Sequence, residues 1–359
     1  MEVVKILLER CEVCPDKLAK SDRTPLLYAA RGGHEGVVNI LLERNVNPEK
    51  PDNRGQTPLA YAAQEGHEGV VKVLLERAKV SPDKPSNCGQ TPLLLAARGG
   101  HERVVEILLE REKVDADGLD DFCLTPLWYA ASEGHEEVVK VLLGREGVNP
   151  DMPGFHGQTP LSCAARDGHE GVVKILLQRE EVNPNNPDIF LRTPLSHAAE
   201  RGHQRVVKIL LGLEEVKSHK PDKYRKTPLF YAACDGHDEV VKMLLEREEV
   251  NPDQPDNQGQ TPLSRAASGG HEGVVRTLLE RREVTPDKPD NDGRTPLWHA
   301  ALDGHEKVVK ILLEREEVSS NRPDNYGQTP LMSAAECGSQ ELVELLQSHE
   351  AEAPAGLEA

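Results

Sequence analysis

The stretch DNQGQTPLSRAASGGHEGVVRTLLERREVTPDKP, residues 256–289, decides the fold, because the chain repeats it. Thr-Pro-Leu begins at Thr24, Thr57, Thr91, Thr125, Thr159, Thr193, Thr227, Thr261, Thr295 and Thr329; the first interval is 33 residues and the other eight are 34. Ala-Ala follows in every copy. Nine copies then continue with Gly-His, Val-Val and Leu-Leu. A period of this size overrides any domain count taken from length alone.

Each repeated letter has a mechanical meaning. Thr57 is placed to cap a helix with its hydroxyl, and Pro58 takes the first helical position, where its missing N–H costs nothing. Leu59 and the Ala62-Ala63 pair give that helix a thin apolar face, which lets a neighbour approach closely. Gly66 supplies a left-handed residue that ends it. Glu68 sits in the first turn of a second helix, where negative charge suits the macrodipole. Val70, Val71, Leu74 and Leu75 form one buried stripe at helical period. Glu68 and Lys72 make an i,i+4 pair on the opposite face. From Val80 to Gln90, Pro82, Pro85 and Gly89 predict an extended finger ending in a turn. Such a unit cannot bury its apolar face alone, so copies must stack. With helix diameters of roughly 10–12 Å, ten copies predict a curved rod on the order of 100 Å long.

The composition agrees with a thin, shared core. The chain has 359 residues, 37% hydrophobic, 3% aromatic and 29% charged, too few large apolar side chains for one or two thick globular cores. A formal net charge of -18 argues against nucleic acid or an anionic membrane as the general partner. Acidity on this scale keeps a long exposed surface soluble. The seven cysteines (Cys11, Cys14, Cys88, Cys123, Cys163, Cys234 and Cys337) form no regular framework. That pattern fits a reducing, cytoplasmic or nuclear setting. No apolar run is long enough for a bilayer, and no segment has the pattern of a signal peptide.

Asp-x-x-Gly-x-Thr-Pro-Leu, then Ala-Ala, Gly-His, Val-Val and Leu-Leu, resembles the ankyrin repeat over nearly the whole chain, from Met1 to about Gln347. The resemblance implies an all-α solenoid of helix-turn-helix units with projecting hairpin-like fingers. It also implies protein partners gripped by the finger tips and the end of the first helix, on the concave side. Two departures stand out. The family's His after Thr-Pro-Leu is replaced by Leu27, Ala60, Leu94, Trp128 and Ser162, so its hydrogen bonds are expected to be absent. The linker, as in Val250-Asn251-Pro252-Asp253, is one residue longer and richer in proline. Near-identical copies with such linkers resemble fungal ankyrin arrays, including those that follow a NACHT-type nucleotide-binding switch domain.

The spacing divides the chain into a partial repeat at 1–18 and ten repeats over 19–349. These are 19–51, 52–85, 86–119, 120–153, 154–187, 188–221, 222–255, 256–289, 290–323 and 324–349. A disordered tail is expected over 350–359. Residues 1–10 have the pattern of a second helix whose first helix is missing, which raises the alternative that the chain is the sensing array of a larger switch protein.

Nothing in the pattern predicts an enzyme, a cofactor or a metal. His-Glu opening a helix would suit a metalloprotease only with a second His four residues on, and Val71 stands there after His67. Cys11-x-x-Cys14 lacks two further ligands nearby. The informative positions are those where copies differ. Most finger tips are polar, as in Asn53-Arg54 or Asn257-Gln258. Four consecutive tips are not: Phe122 and Leu124, then Phe155 and His156, then Ile189, Phe190 and Leu191, then Tyr224. Trp128 and Tyr129 follow on a first helix. Lys217, Lys220, Lys223, Arg225 and Lys226 crowd one finger. The turn glycine is lost at Cys123, Leu191 and Arg225, so those turns are expected to be reshaped. Aromatic anchors beside a basic rim are the pattern of a binding hot spot. The expectation is therefore a monomeric, non-catalytic scaffold whose repeats 4 to 7 grip a protein segment with apolar anchors and negative charge. The competing reading is that the apolar tips simply pack on one another.

Overall fold

The computed structural model describes residues 15–352. The half-repeat's helix, the Cys11-x-x-Cys14 pair and the tail beyond Glu352 lie outside the described residues. The chain forms two compact units, residues 1–183 and 184–359. In the first unit the first helices of the repeats are Pro25–Arg31, Pro58–Gln64, Pro92–Arg98, Pro126–Ser132 and Pro160–Asp167. Their second helices are Glu35–Leu42, Glu68–Arg77, Glu102–Leu109, Glu136–Leu143 and Glu170–Leu176. In the second unit the first helices are Pro194–Glu200, Pro228–Cys234, Pro262–Ser268, Pro296–Leu302 and Pro330–Cys337. Gln204–Leu211, Asp238–Leu245, Glu272–Leu279, Glu306–Leu313 and Gln340–Glu352 follow them as second helices. No strand occurs among the described residues, so the fold is an all-α solenoid of helix pairs. Within each unit, first helices pack on neighbouring first helices and second helices on second helices. No described helix is long and apolar enough to cross a membrane.

The caps form as the sequence dictates. In all ten repeats the Thr hydroxyl accepts a hydrogen bond from the backbone N–H three residues on, with Pro at the start of the helix. The alanine pairs and the Val and Leu of the second helix are buried, as at Ala62, Ala63, Val70, Val71 and Leu74 in one unit and Ala266, Ala267, Val274, Val275 and Leu278 in the other. Each fully buried Leu contributes about 1.5–3 kcal/mol from burial alone.

The Gly-His pair joins one repeat to the next. Gly66 is left-handed at φ 74°, as a helix-ending residue should be. A Cβ built on it would collide with Nδ1 of His101, one repeat on. That ring occupies the space a side chain would need. Its Nε2 lies 2.9 Å from the Gln64 carbonyl, and it must donate, since a carbonyl only accepts. His67, His135 and His169 make the same bond to Arg31, Arg98 and Ser132 in the first unit. His237, His271 and His305 make it to Glu200, Cys234 and Ser268 in the second. These histidines satisfy carbonyls that a helix end leaves without a partner.

Gly338 takes the same left-handed turn at φ 79°, yet a Cβ there would meet nothing within 4 Å. Gly338→Ala therefore carries only the left-handed penalty, about 1–2 kcal/mol. Gly66→Ala must also displace His101 and break its bond to Gln64, and is expected to cost about 1 kcal/mol more. Urea melts of the two variants would compare them; equal midpoints would mean that the His contact adds nothing.

Candidate functional site

Each finger is built from its root. In the second repeat the buried Asp52 carboxylate accepts backbone N–H bonds from Arg54 at 2.9 Å and Gln56 at 3.0 Å through one oxygen. Its other oxygen takes the Tyr61 hydroxyl at 2.8 Å. One residue thus shapes the turn and ties it to the first helix. Asp120 does the same with the Phe122 and Leu124 N–H groups and the Tyr129 hydroxyl. Asp222 repeats it with Tyr224, Lys226 and the Tyr231 hydroxyl, and Asp290 with Asp292, Arg294 and the His299 ring. Burial first, then the bond to Asp120, pushes the Tyr129 phenol up to about 12, which keeps it a donor. The first helix therefore does reach its finger without the His that the resemblance led us to expect, from one position further along. Five of the six Tyr or His residues at that position have an Asp nine residues earlier, which is the sequence signal for this clamp.

The turns that lost glycine are not reshaped. Cys123, Leu191 and Arg225 stay left-handed at φ 59°, 64° and 66°. Their N–H groups still bond to the Asp120, Asp188 and Asp222 carbonyls at 2.9, 2.9 and 3.0 Å. The root carboxylate holds the turn, and the strain of about 1–2 kcal/mol per residue is borne instead of relieved.

In the first unit, Phe122 and Phe155 are exposed at 53% and 58%, and His156 is exposed beside Phe155 with ring centroids 4.0 Å apart. Leu124 and Tyr129 require a correction: both lie in the core with Leu94, and Trp128 packs half-buried against them. The Trp128 indole N–H donates to the Gln158 carbonyl at 3.0 Å. Gly154 stands where other fingers have Asp, and a Cβ there would meet Leu124 and the Trp128 ring. Leu124 and Trp128 therefore hold the fifth finger in place of its missing carboxylate. Leu124 and Tyr129 are buried and support the tips.

In the second unit, Ile189, Leu191 and Tyr224 are exposed at 58%, 48% and 49%, and Lys223 and Arg225 are exposed beside them. Phe190 is half-buried, with the Lys223 ammonium 3.9 Å from its ring centroid. Lys223 also lies 5.0 Å from the Tyr224 ring, and Lys226 lies 5.4 Å from the buried Phe230 ring. Cation–π contacts thus line up the basic rim along the aromatic tips. The pattern of single copies misses two further exposed side chains, Tyr326 at a tip and Met332 on the last first helix.

Among the described residues no group of His, Cys, Asp and Glu is arranged to hold a metal. Cys88, Cys123, Cys163, Cys234 and Cys337 are free thiols, and burial pushes Cys163 up to about 12.

The sixth finger has the most heavily paired root. Asp188 lies 3.2 Å from His197 Nε2 and 3.1 Å from Arg192 Nε. Burial alone would raise its carboxyl, but the His197 and Arg192 contacts overcome this and lower it to about 2. A carboxylate lowered in the folded state adds stability above its unfolded value near 3.9, and that contribution is lost as the pH falls toward 2. Wild type should exceed Asp188→Asn by about 2 kcal/mol at neutral pH. The gap should close as urea melts are taken from pH 5 to pH 2; a gap that stays constant would mean that Asp188 is not held ionised.

Family comparison places these repeats among known proteins. The model for ankyrin repeats (3 copies) matches residues 1–85, 78–153, 146–222, 213–290 and 282–355. No curated protein matches the chain. With the Thr-Pro caps, the Gly-His joints and the root-held fingers all in place, the chain belongs to the ankyrin-repeat family, whose repeats are in general protein–protein interaction modules.

Proposed function

We propose that this protein is a non-catalytic scaffold that holds a protein partner on its finger tips. Leu191 carries the proposal. It is a branched apolar residue exposed at 48%, held at φ 64°, where the same turn elsewhere has glycine. A side chain that is both strained and exposed costs stability without filling a core, and such costs concentrate at binding sites. Ile189 and Tyr224 extend its apolar surface, and Lys223, Arg225 and Lys226 supply a cationic rim. This chemistry suits a partner segment with apolar anchors flanked by carboxylates. In the first unit Phe122, Phe155 and His156 offer apolar tips of the same kind.

Two variants separate binding from packing. Leu191→Gly should raise stability by about 1 kcal/mol, since glycine accepts the left-handed turn freely. The same change should weaken capture of partners in a pull-down. Ile189→Asp, on an exposed residue, should leave the melt unchanged and remove a defined set of captured proteins. If both variants capture the same proteins as wild type in the same amounts, the tips are not the binding surface.

A further inference from the structure

The face built by repeats 1 to 3 has a different chemistry and uses none of the tips proposed above. Arg23, Arg31, Arg54 and Arg98 line one groove of about 640 Å³ with Gln56, Gln64 and Gln90. Four guanidinium groups together are an anomaly in a chain of net charge -18.

Two sequence positions create the groove: the residue before Thr-Pro-Leu, and the residue eight places later near the end of the first helix. In three later repeats these two pair with each other, as Gln56 and Gln64 do at 3.4 Å in the second. Arg166 bonds to Gln158 at 2.9 Å, Arg192 to Glu200 at 3.4 Å, and Gln328 to Glu336 at 3.0 Å. In the first three repeats they are Arg23 with Arg31, Gln56 with Gln64, and Gln90 with Arg98, with no carboxylate among them. The first repeat thus sets two cations at positions that form complementary pairs in the repeats of Gln158, Arg192 and Gln328.

Three of the four guanidiniums lie over aromatic rings. Tyr61 has Arg23 at 5.5 Å and Arg31 at 5.7 Å from its ring centroid, and Tyr129 has Arg98 at 5.6 Å. Arg23 also donates to the Tyr61 hydroxyl at 3.0 Å and lies 3.7 Å from Asp52, and Arg31 meets Glu65 at 3.4 Å. Arg54 and Arg98 are exposed and take part in none of the ion pairs found among the described residues of the first unit. A guanidinium lying over a ring can still offer N–H groups to a carboxylate, and Arg98 over Tyr129 is placed in that way.

The geometry points to a docking groove for an acidic peptide lying extended across repeats 1 to 3. Packed helices sit about 8–10 Å apart, and an extended chain rises about 3.3 Å per residue, so successive repeats meet every third residue. The fitting segment carries Asp or Glu at every third position, with uncharged residues between. Glu133 on the groove wall and the acidity of the chain oppose a continuous polyanion but tolerate carboxylates spaced in this way.

The test uses the full chain and synthetic peptides of about ten residues with Glu at every third position. Fluorescence anisotropy at low salt should show saturable binding that weakens as salt is added. The same peptide with Gln for Glu should not bind. Arg31→Gln, Arg54→Gln and Arg98→Gln combined, all on exposed side chains, should weaken binding at least about tenfold with an unchanged melt. Lys223→Gln with Arg225→Gln should leave it unchanged, which separates this groove from the finger tips. Equal binding of the Glu and Gln peptides, no binding of the Glu peptide, full binding by the triple variant, or tighter binding of a thymidine oligonucleotide of similar length would each overturn the proposal.

Discussion

The contact on which the stack depends is a ring lying over a missing methyl. A first helix ends at a left-handed glycine, and the next repeat's histidine fills the space left by the absent Cβ while donating to a carbonyl two residues earlier. Three requirements meet in one place: a turn that only glycine makes easily, an unpaired carbonyl, and close helix packing. None is satisfied within a single repeat. Each helix end is completed by its neighbour, so the stability of a copy belongs in large part to the contact and not to the copy.

The fingers obey a second constraint that leaves the first untouched. A buried carboxylate at the root takes two main-chain N–H groups and, in several copies, a Tyr or His from the first helix. Turn and helix are thereby locked through one residue. When the glycine of the turn is replaced, the lock does not yield, and the new side chain is forced into the left-handed region. The fifth finger shows the alternative: its carboxylate is gone, and the indole and leucine of the preceding repeat take over.

What could be read from the sequence was local or repeated. The Thr57 cap, the Gly66 turn and the Val70 to Leu75 stripe depend on residues a few positions apart, and ten copies make the pattern unmistakable. The Gly-His joint was legible as structural, but its partner one repeat on was not. Leu124 stands next to exposed Phe122, and Tyr129 follows on the first helix, so local pattern groups both with the tips. Their burial depends on Leu94, about thirty positions earlier, and local pattern carries no trace of it. The turns at Cys123, Leu191 and Arg225 keep their shape for a related reason. The loss of glycine is visible in the chain, whereas the grip of the root carboxylate on the turn appears only in three dimensions.

The Gly-His joint has a consequence for how such a chain can change. Each of the nine Gly-His copies carries the glycine for a copy after it and the histidine for a copy before it, so these copies are interchangeable at the joint. Unequal recombination between near-identical units would lengthen, shorten or reorder the array while leaving every joint intact, and would shuffle tips as ready-made words. The fourth and fifth copies are an exception. Leu124 and Trp128 pack closely on Gly154, and a side chain placed there would have to displace the leucine. A change in one of these two copies therefore asks for a change in the other.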